Sequence, residues 1–156
     1  MPAKEYYKIS MKVLRINASD TYSIRQQVLI PDHDPKKVKF ESDEDEDVSF
    51  HLGAFEESKL VSVASFFYER NPIFKDEHQY QLRGMATLPE YQGQGLSSEL
   101  LNMAFPIIKQ NFCTLLWCNA RTSAIGYYEK VGFKIQDDKV FEIEGIGPHV
   151  LMYKNI

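Results

Sequence analysis

The sequence predicts an α/β fold: a mixed, mostly antiparallel central sheet flanked by helices on both sides, built as one domain over residues 1–156. Three observations carry this expectation. Two β-type runs, 48–55 and 59–68, are separated only by polar Glu56-Glu57-Ser58, and a third, 79–88, follows after a loop, which is the pattern of an antiparallel meander. The third run ends in a glycine turn and passes into a stretch where Leu96, Leu100, Leu101, Ala104, Ile107 and Ile108 recur at helical spacing. Residues 113–118 contain Leu115-Leu116-Trp117, a continuous apolar run that suits a strand covered on both faces. A chain of 156 residues buries about two-thirds of the surface its unfolded form exposes, so a single core suffices.

The elements follow in order. Tyr6 to Ile16 alternates loosely and gives a first strand. Ser19 or Asp20 is expected to cap a helix whose face is Ile24, Val28 and Leu29 and which Pro31 stops. Tyr22 and Arg25 on that helix are expected to pack or lie at the surface, with a place in a pocket as the alternative. Glu41 to Asp47 has acid at six of seven positions. Its alternation invites a calcium-loop reading, but the required glycine and terminal glutamate fall on Val48 and Ala54, so a solvated loop is expected, with a lure for a cationic acceptor as the alternative. Pro106 interrupts the helix after the glycine turn. A short helix over 123–131 ends at Gly132, and two terminal strands, 133–143 and 149–153, flank the turn Gly145-Ile146-Gly147-Pro148.

Composition removes several function classes. With 18 basic against 22 acidic residues, the formal charge of −4 gives no electrostatic reason to bind a nucleic-acid backbone. No stretch approaches the roughly 20 apolar residues of a membrane helix, and the N-terminus has no apolar signal region, so a cytoplasmic protein is expected. Cys113 and Cys118 stand five apart along one predicted strand, facing opposite sides, which argues for buried thiols and against a disulfide. His33, His51, His78 and His149 are scattered, so no metal site is expected.

The chemistry concentrates in Leu88-Pro89-Glu90-Tyr91-Gln92-Gly93-Gln94-Gly95-Leu96-Ser97-Ser98. Gly93 and Gly95 can take positive φ, and the following helix offers its unpaired first-turn N–H groups and positive dipole end, a construction that binds phosphate. The nucleotide P-loop is excluded because no Lys stands near Gly95, and the dinucleotide fingerprint because Ser98 occupies its third glycine position. Gln92-Gly93-Gln94-Gly95-Leu96-Ser97 resembles the coenzyme A pyrophosphate loop, Gln/Arg-x-x-Gly-x-Gly/Ala, of the GNAT N-acetyltransferases, with the family's proline at Pro89. A second block, Ala124-Ile125-Gly126-Tyr127-Tyr128-Glu129-Lys130-Val131-Gly132-Phe133, is similar to that family's Ala-x-x-x-Tyr-Glu-Lys-x-Gly-Phe segment at the expected distance. Ser97 departs from the usual Gly or Ala, and Arg121 stands where many members carry Asn.

The resemblance implies the GNAT acyltransferase fold and direct transfer of an acetyl group from acetyl-CoA to a primary amine of a small molecule or peptide. It puts the pyrophosphate on the backbone of Gln92, Gly93, Gln94, Gly95, Leu96, Ser97 and Ser98, and the pantetheine arm along Met85, Ala86 and Thr87. Gly84-Met85 could supply a local bulge. Tyr128 matches the tyrosine that protonates the departing thiolate; a phenol of pKa about 10 can serve a thiolate of pKa about 8.5 only if well positioned. Asn119 is a second candidate, bonding pantetheine or acceptor from its strand end, with a structural turn role as the alternative.

No base is apparent. Gln81 stands where some members place Glu and cannot act as one, leaving Glu69, Glu77, His78 and His149. Arg83 and Arg121 favour an acceptor with a carboxylate or phosphate if both face the cleft; otherwise they pair with Glu90 or Glu129 on the surface. Many relatives dimerise, so a homodimer is possible. The contrasting readings are a non-catalytic acyl-CoA-binding or regulatory module and an unrelated nucleotide binder.

Overall fold

A computed structural model describes residues 11–45 and 47–156. The chain forms β1 (Met11–Ile16), β2 (Phe50–Glu56), β3 (Lys59–Tyr68), β4 (Gln79–Thr87), β5 (Leu115–Arg121), β6 (Lys134–Ile135), β7 (Phe141–Ile143) and β8 (Gly147–Asn155). They make a sheet of order β1-β2-β3-β4-β5-β8-β6, with β7 also on β8. Only β4 and β5 run parallel among these neighbours. The expected meander is β2-β3-β4, and β3 keeps its expected limits. The part of the expected first strand before Met11 lies outside the described residues.

Helices cover both faces. The first, α1, runs over 18–29 as a 3-10 turn (Ala18–Thr21), an α-helical turn (Tyr22–Ile24) and a π turn (Arg25–Leu29). Its cap is Asn17, not Ser19 or Asp20: the Asn17 N–H donates to Asp20 Oδ2 at 2.9 Å, so Asp20 acts from inside the first turn. The π turn closes through Ile30 N–H on Arg25 O at 3.3 Å. The second helix, α2 (Leu96–Gln110), buries Leu96, Leu100, Leu101, Ala104 and Ile108, most of the expected stripe, and keeps Pro106 inside. The period-two alternation of β4 separates the layers. Tyr80 turns towards α2, where Asn111 Nδ2 donates to its hydroxyl at 2.9 Å, while Arg83 turns to the side of α1.

Two irregularities of β4 open the sheet. Ser65 pairs with Arg83 and Val63 with Ala86, so Gly84 and Met85 together oppose Ala64: the expected bulge, with Gly84 at φ +63°. Pairing of β4 with β5 stops at Gln81 and Trp117, whereas β5 stays paired with β8 through Arg121 and His149. The two parallel strands therefore separate beyond Gln81.

Three further expectations change. The single strand over 133–143 is two, β6 and β7, because Lys139 N–H turns back onto Asp137 Oδ1 and breaks the ladder. The strand over 113–118 starts at Leu115, and Cys113 instead donates its N–H to Ile108 O at 3.2 Å; both thiols are free and buried. The acidic run is not uniformly solvated: Glu41–Glu44 form a 3-10 turn, and Asp43 is 4% exposed. Glu46 lies outside the described residues.

Candidate active site

The separation of β4 from β5 leaves a cleft of about 730 Å³. Leu82, Gly84, Met85 and Cys118 line it from the strands, α1 and residues 38–41 wall one side, and Ile143, Glu144 and Ile146 wall the other. Arg83, Arg121, Asn119 and Tyr128 all border it, so the cleft gathers the four residues singled out for catalysis or acceptor binding.

The glycine turn sits where β4 leaves the sheet. A 3-10 turn, Pro89–Tyr91, leads to Gly93 at φ +78° and Gly95 at φ +79°, the latter capping α2. A Cβ added at either glycine would meet nothing within 4 Å, so the loop borders open space and the glycines serve its conformation. The first helical bond of α2 is Glu99 N–H to Gly95 O, which leaves the N–H groups of Leu96, Ser97 and Ser98 without helical acceptors. The side chains here anchor the loop: Gln92 Nε2 donates to Thr87 O at 3.0 Å, Thr87 and Ser97 hydroxyls meet at 3.3 Å, and Thr87 and Ser62 at 2.7 Å. Ser98 Oγ bonds the Tyr127 hydroxyl at 3.2 Å, tying α2 to the next helix, and Leu96 is buried in the core. Gln94 Nε2 reaches Glu90 O at 3.5 Å. Open glycines, free N–H groups and a β4 edge without a strand partner beyond Gln81 fit a pyrophosphate and its extended arm.

Tyr128 lies on α3 (Ile125–Lys130), which follows a 3-10 turn, Thr122–Ala124. The Gly132-Phe133 pair closes this helix: Phe133 N–H bonds Tyr128 O at 2.9 Å and Gly132 N–H bonds Glu129 O at 3.1 Å, with Gly132 at φ +99°. The Phe133 ring meets the Tyr128 ring edge-on at 5.3 Å. Glycine and phenylalanine in this segment thus orient the tyrosine, whose hydroxyl comes within 4.0 Å of Met85 Sδ on the bulge. Burial, with smaller contributions from Cys118 and Tyr127, raises its pKa far above the ordinary phenol value, so the proton stays on.

Arg25, Arg83 and Arg121 all border the cleft. Arg83 and Arg121 form no salt bridge with Glu90 or Glu129; Arg121 Nη2 donates to Leu29 O at 2.8 Å at the end of α1, and the Arg83 guanidinium lies 4.0 Å from the Phe40 ring centre. Arg25 is packed rather than at the surface and also takes the alternative place in a pocket: it is 1% exposed yet borders the cleft, and it bonds Asp43 at 2.7 and 3.1 Å, Val38 O at 2.6 Å and Ser65 Oγ at 2.7 Å. Asn119 is exposed on the cleft surface.

Of the four base candidates, only His149 borders the cleft. It is 4% exposed, and its Nδ1 lies 2.7 Å from Gly147 O. A carbonyl only accepts, so Nδ1 carries the hydrogen and the neutral ring keeps its lone pair on Nε2. Glu69 and Glu77 are exposed at the opposite end of β4, and His78 bonds the Tyr68 hydroxyl there at 2.6 Å. Phe40, Glu144 and His33, which bonds Gly145 O at 2.8 Å, also border the cleft and escaped the sequence reading. They come from irregular segments with no periodicity to mark them; the glycines at 145 and 147 were the available signal.

A strand pair that opens beside a glycine loop and a helix N-terminus, with a partly buried tyrosine across the gap, fits an acyl-CoA-dependent transferase. A model of the acetyltransferase (GNAT) family matches residues 13–133. The uncharacterised N-acetyltransferase YitI of Bacillus subtilis (strain 168) is 39% identical over 146 residues, covering 94% of this chain and 97% of that protein. The ribosomal-protein-S18-alanine N-acetyltransferase of Escherichia coli superposes with a TM-score of 0.70 at 19% identity, covering 94% of each chain. The PaiA N-acetyltransferase of Thermoplasma acidophilum, solved in complex with coenzyme A, gives 0.64 at 17% identity over 95% of this chain and 100% of that one. At these identities the two structures share the fold alone. The chain belongs to the acetyltransferase (GNAT) family, and it is an N-acetyltransferase that uses an acyl-CoA and an amine acceptor.

Proposed function

We propose that residues 1–156 act as one domain that moves an acetyl group from acetyl-CoA directly to an amine of a small molecule or peptide carrying an anionic group. The observation that carries this reading is the presence of Arg83 and Arg121 in the same cleft as Tyr128, with no carboxylate bound to either among the described residues. Guanidiniums present planar, paired donors that suit carboxylate or phosphate. This supports an anionic acceptor over the cationic one that the acidic run invited, since its Asp43 already pairs with Arg25.

Acetyl-CoA supplies a thioester whose C–S bond is exchanged for a C–N bond. The backbone N–H groups of Gly93, Gln94, Gly95, Leu96, Ser97 and Ser98 would hold its pyrophosphate, with Gln92 fixing the loop, and the free edge of Met85, Ala86 and Thr87 would hold its arm. His149 Nε2 would take the proton from the acceptor ammonium, of which only about one part in a thousand is neutral near pH 7 for a pKa of about 10.4. Tyr128 would give its phenolic proton to the departing sulfur and regain one, by way of solvent, from the second proton that the nitrogen sheds as it becomes the amide. Asn119, exposed on the cleft surface, would bond the arm or the acceptor.

The test is thiol release from acetyl-CoA with matched acceptors, amino acids against the corresponding amino-acid amides. Faster turnover of the free acids is expected, with a KM for them that rises at least about tenfold in Arg83→Gln, the scale of one lost charged hydrogen bond. Tyr128→Phe should lower kcat by about a hundredfold or more while acetyl-CoA still binds. Equal turnover of acids and amides would refute the anionic acceptor. Tight acetyl-CoA binding with no turnover across the panel would point instead to a regulatory module.

A further inference from the structure

Arg83 reaches the cleft with an aromatic ring at its guanidinium. The Phe40 ring carries two cations, Arg25 Cζ at 3.9 Å and Arg83 Cζ at 4.0 Å from its centre. The two are not equivalent. Arg25 is neutralised by the buried Asp43 carboxylate, whereas Arg83 has no salt bridge among the described residues. Burial first, then the charge of Arg25, lowers the Arg83 pKa against smaller opposing effects of Asp43 and Glu69, so its cation is only partly compensated where it stands.

The ring is itself held in place. Phe40 N–H donates to Asp43 Oδ2 at 2.8 Å, its ring packs edge-on against Phe67 at 6.2 Å, and it lies over the β4 bulge where a Cβ on Gly84 would come within 3.1 Å of Cε2. The same carboxylate therefore fixes Arg25 and the backbone of Phe40. Contact with a ring occupies the face of a guanidinium and leaves the N–H donors on its edge free, which is the arrangement a planar anion needs.

We propose that Phe40 is a specificity-determining positioning residue: it stacks on Arg83 and holds that guanidinium edge towards the anionic group of the acceptor. This rests on the reading of the cleft as a site for anionic amines. It gives the Glu41–Glu44 turn a purpose that composition hides, since Asp43 anchors the ring from within the acidic run.

The experiment compares the wild type with Phe40→Leu, Phe40→Tyr and Arg83→Gln, using the fastest free acid of the acceptor panel and its amide. Leucine keeps the apolar bulk and loses the ring quadrupole; tyrosine keeps the ring. In Phe40→Leu the KM for the free acid is expected to rise about tenfold, as loss of a partly desolvated cation–π contact implies. The KM for acetyl-CoA and the KM for the amide should stay within about twofold of wild type, a change of under half a kcal/mol. Phe40→Tyr should restore the free-acid KM. Equal changes for acid, amide and acetyl-CoA in Phe40→Leu, or no rescue by tyrosine, would mean a merely structural ring and overturn the proposal. If Arg83→Gln raises the free-acid KM and Phe40→Leu does not, this inference fails while the anionic-acceptor reading stands. If the wild type does not prefer the acid, both fail.

Discussion

His51 shows how one buried side chain can make stability depend on pH. Its Nδ1 bonds Ser65 Oγ at 2.7 Å, and its Nε2 lies 3.9 Å from Asp43 Oδ1. A serine, a histidine and an aspartate in this spatial arrangement suggest a nucleophile triad, but Ser65 is fully buried and already accepts from Arg25, so the group is structural. Burial lowers the His51 pKa below its ordinary 6.5, with Arg25 and Arg15 adding to the effect and Asp43 opposing it. The unfolded state then binds the proton more readily than the folded one. Stability contributed by the neutral ring is complete above pH 6.5 and is lost as pH falls from there towards the lowered folded value. Urea denaturation at pH 7.5 and pH 5.5 should show the loss, and His51→Gln should flatten it; an unchanged slope in that variant would assign the effect elsewhere.

Among the elements, α3 has the sharpest structural logic. Six residues cannot hold a tyrosine still by helix propensity alone, and the C-terminal turn through Gly132 and Phe133 supplies what the helix lacks. Gly132→Ala places a Cβ at φ +99° and 2.7 Å from Lys154 Nζ, a flexible end that can move away, so the backbone conformation sets the cost. A loss of about 1–2 kcal/mol is expected, from the strain of an L-residue in a left-handed conformation. Thermal unfolding would measure it. Because the same turn orients Tyr128, kcat should fall with stability, while the KM for acetyl-CoA should change little if, as proposed, the turn before α2 holds its pyrophosphate. This element was largely legible in the sequence because its bonds join residues three to five apart. Where reading failed, at the start of α1 and at the break between β6 and β7, aspartate side chains accepting from nearby backbone N–H groups decided the outcome.

At the scale of the whole molecule, the Arg25–Asp43 pair joins α1, the 38–44 segment and β3 beside the cleft. Both side chains are 1% exposed, so Asp43→Asn leaves a buried guanidinium without its counter-charge and should cost about 3–5 kcal/mol in urea denaturation. The double variant Arg25→Met, Asp43→Leu should recover most of it, since removing both charges avoids the desolvation penalty. If the single variant were as stable as wild type, the segment would not be held by this pair.

No helix among the described residues is long and apolar enough to cross a membrane. The sequence by itself determined the strand, glycine turn and helix of the cofactor loop, the tyrosine segment and the family they define, because each is written in residues close along the chain. Only the tertiary structure decided that β4 and β5 part after Gln81, that Arg83, Arg121 and His149 share one cleft, and that Asp43 leaves the acidic run for Arg25. Those facts join segments at least 18 residues apart, as Arg25 is from Asp43, and depend on strand register and burial that no local pattern encodes.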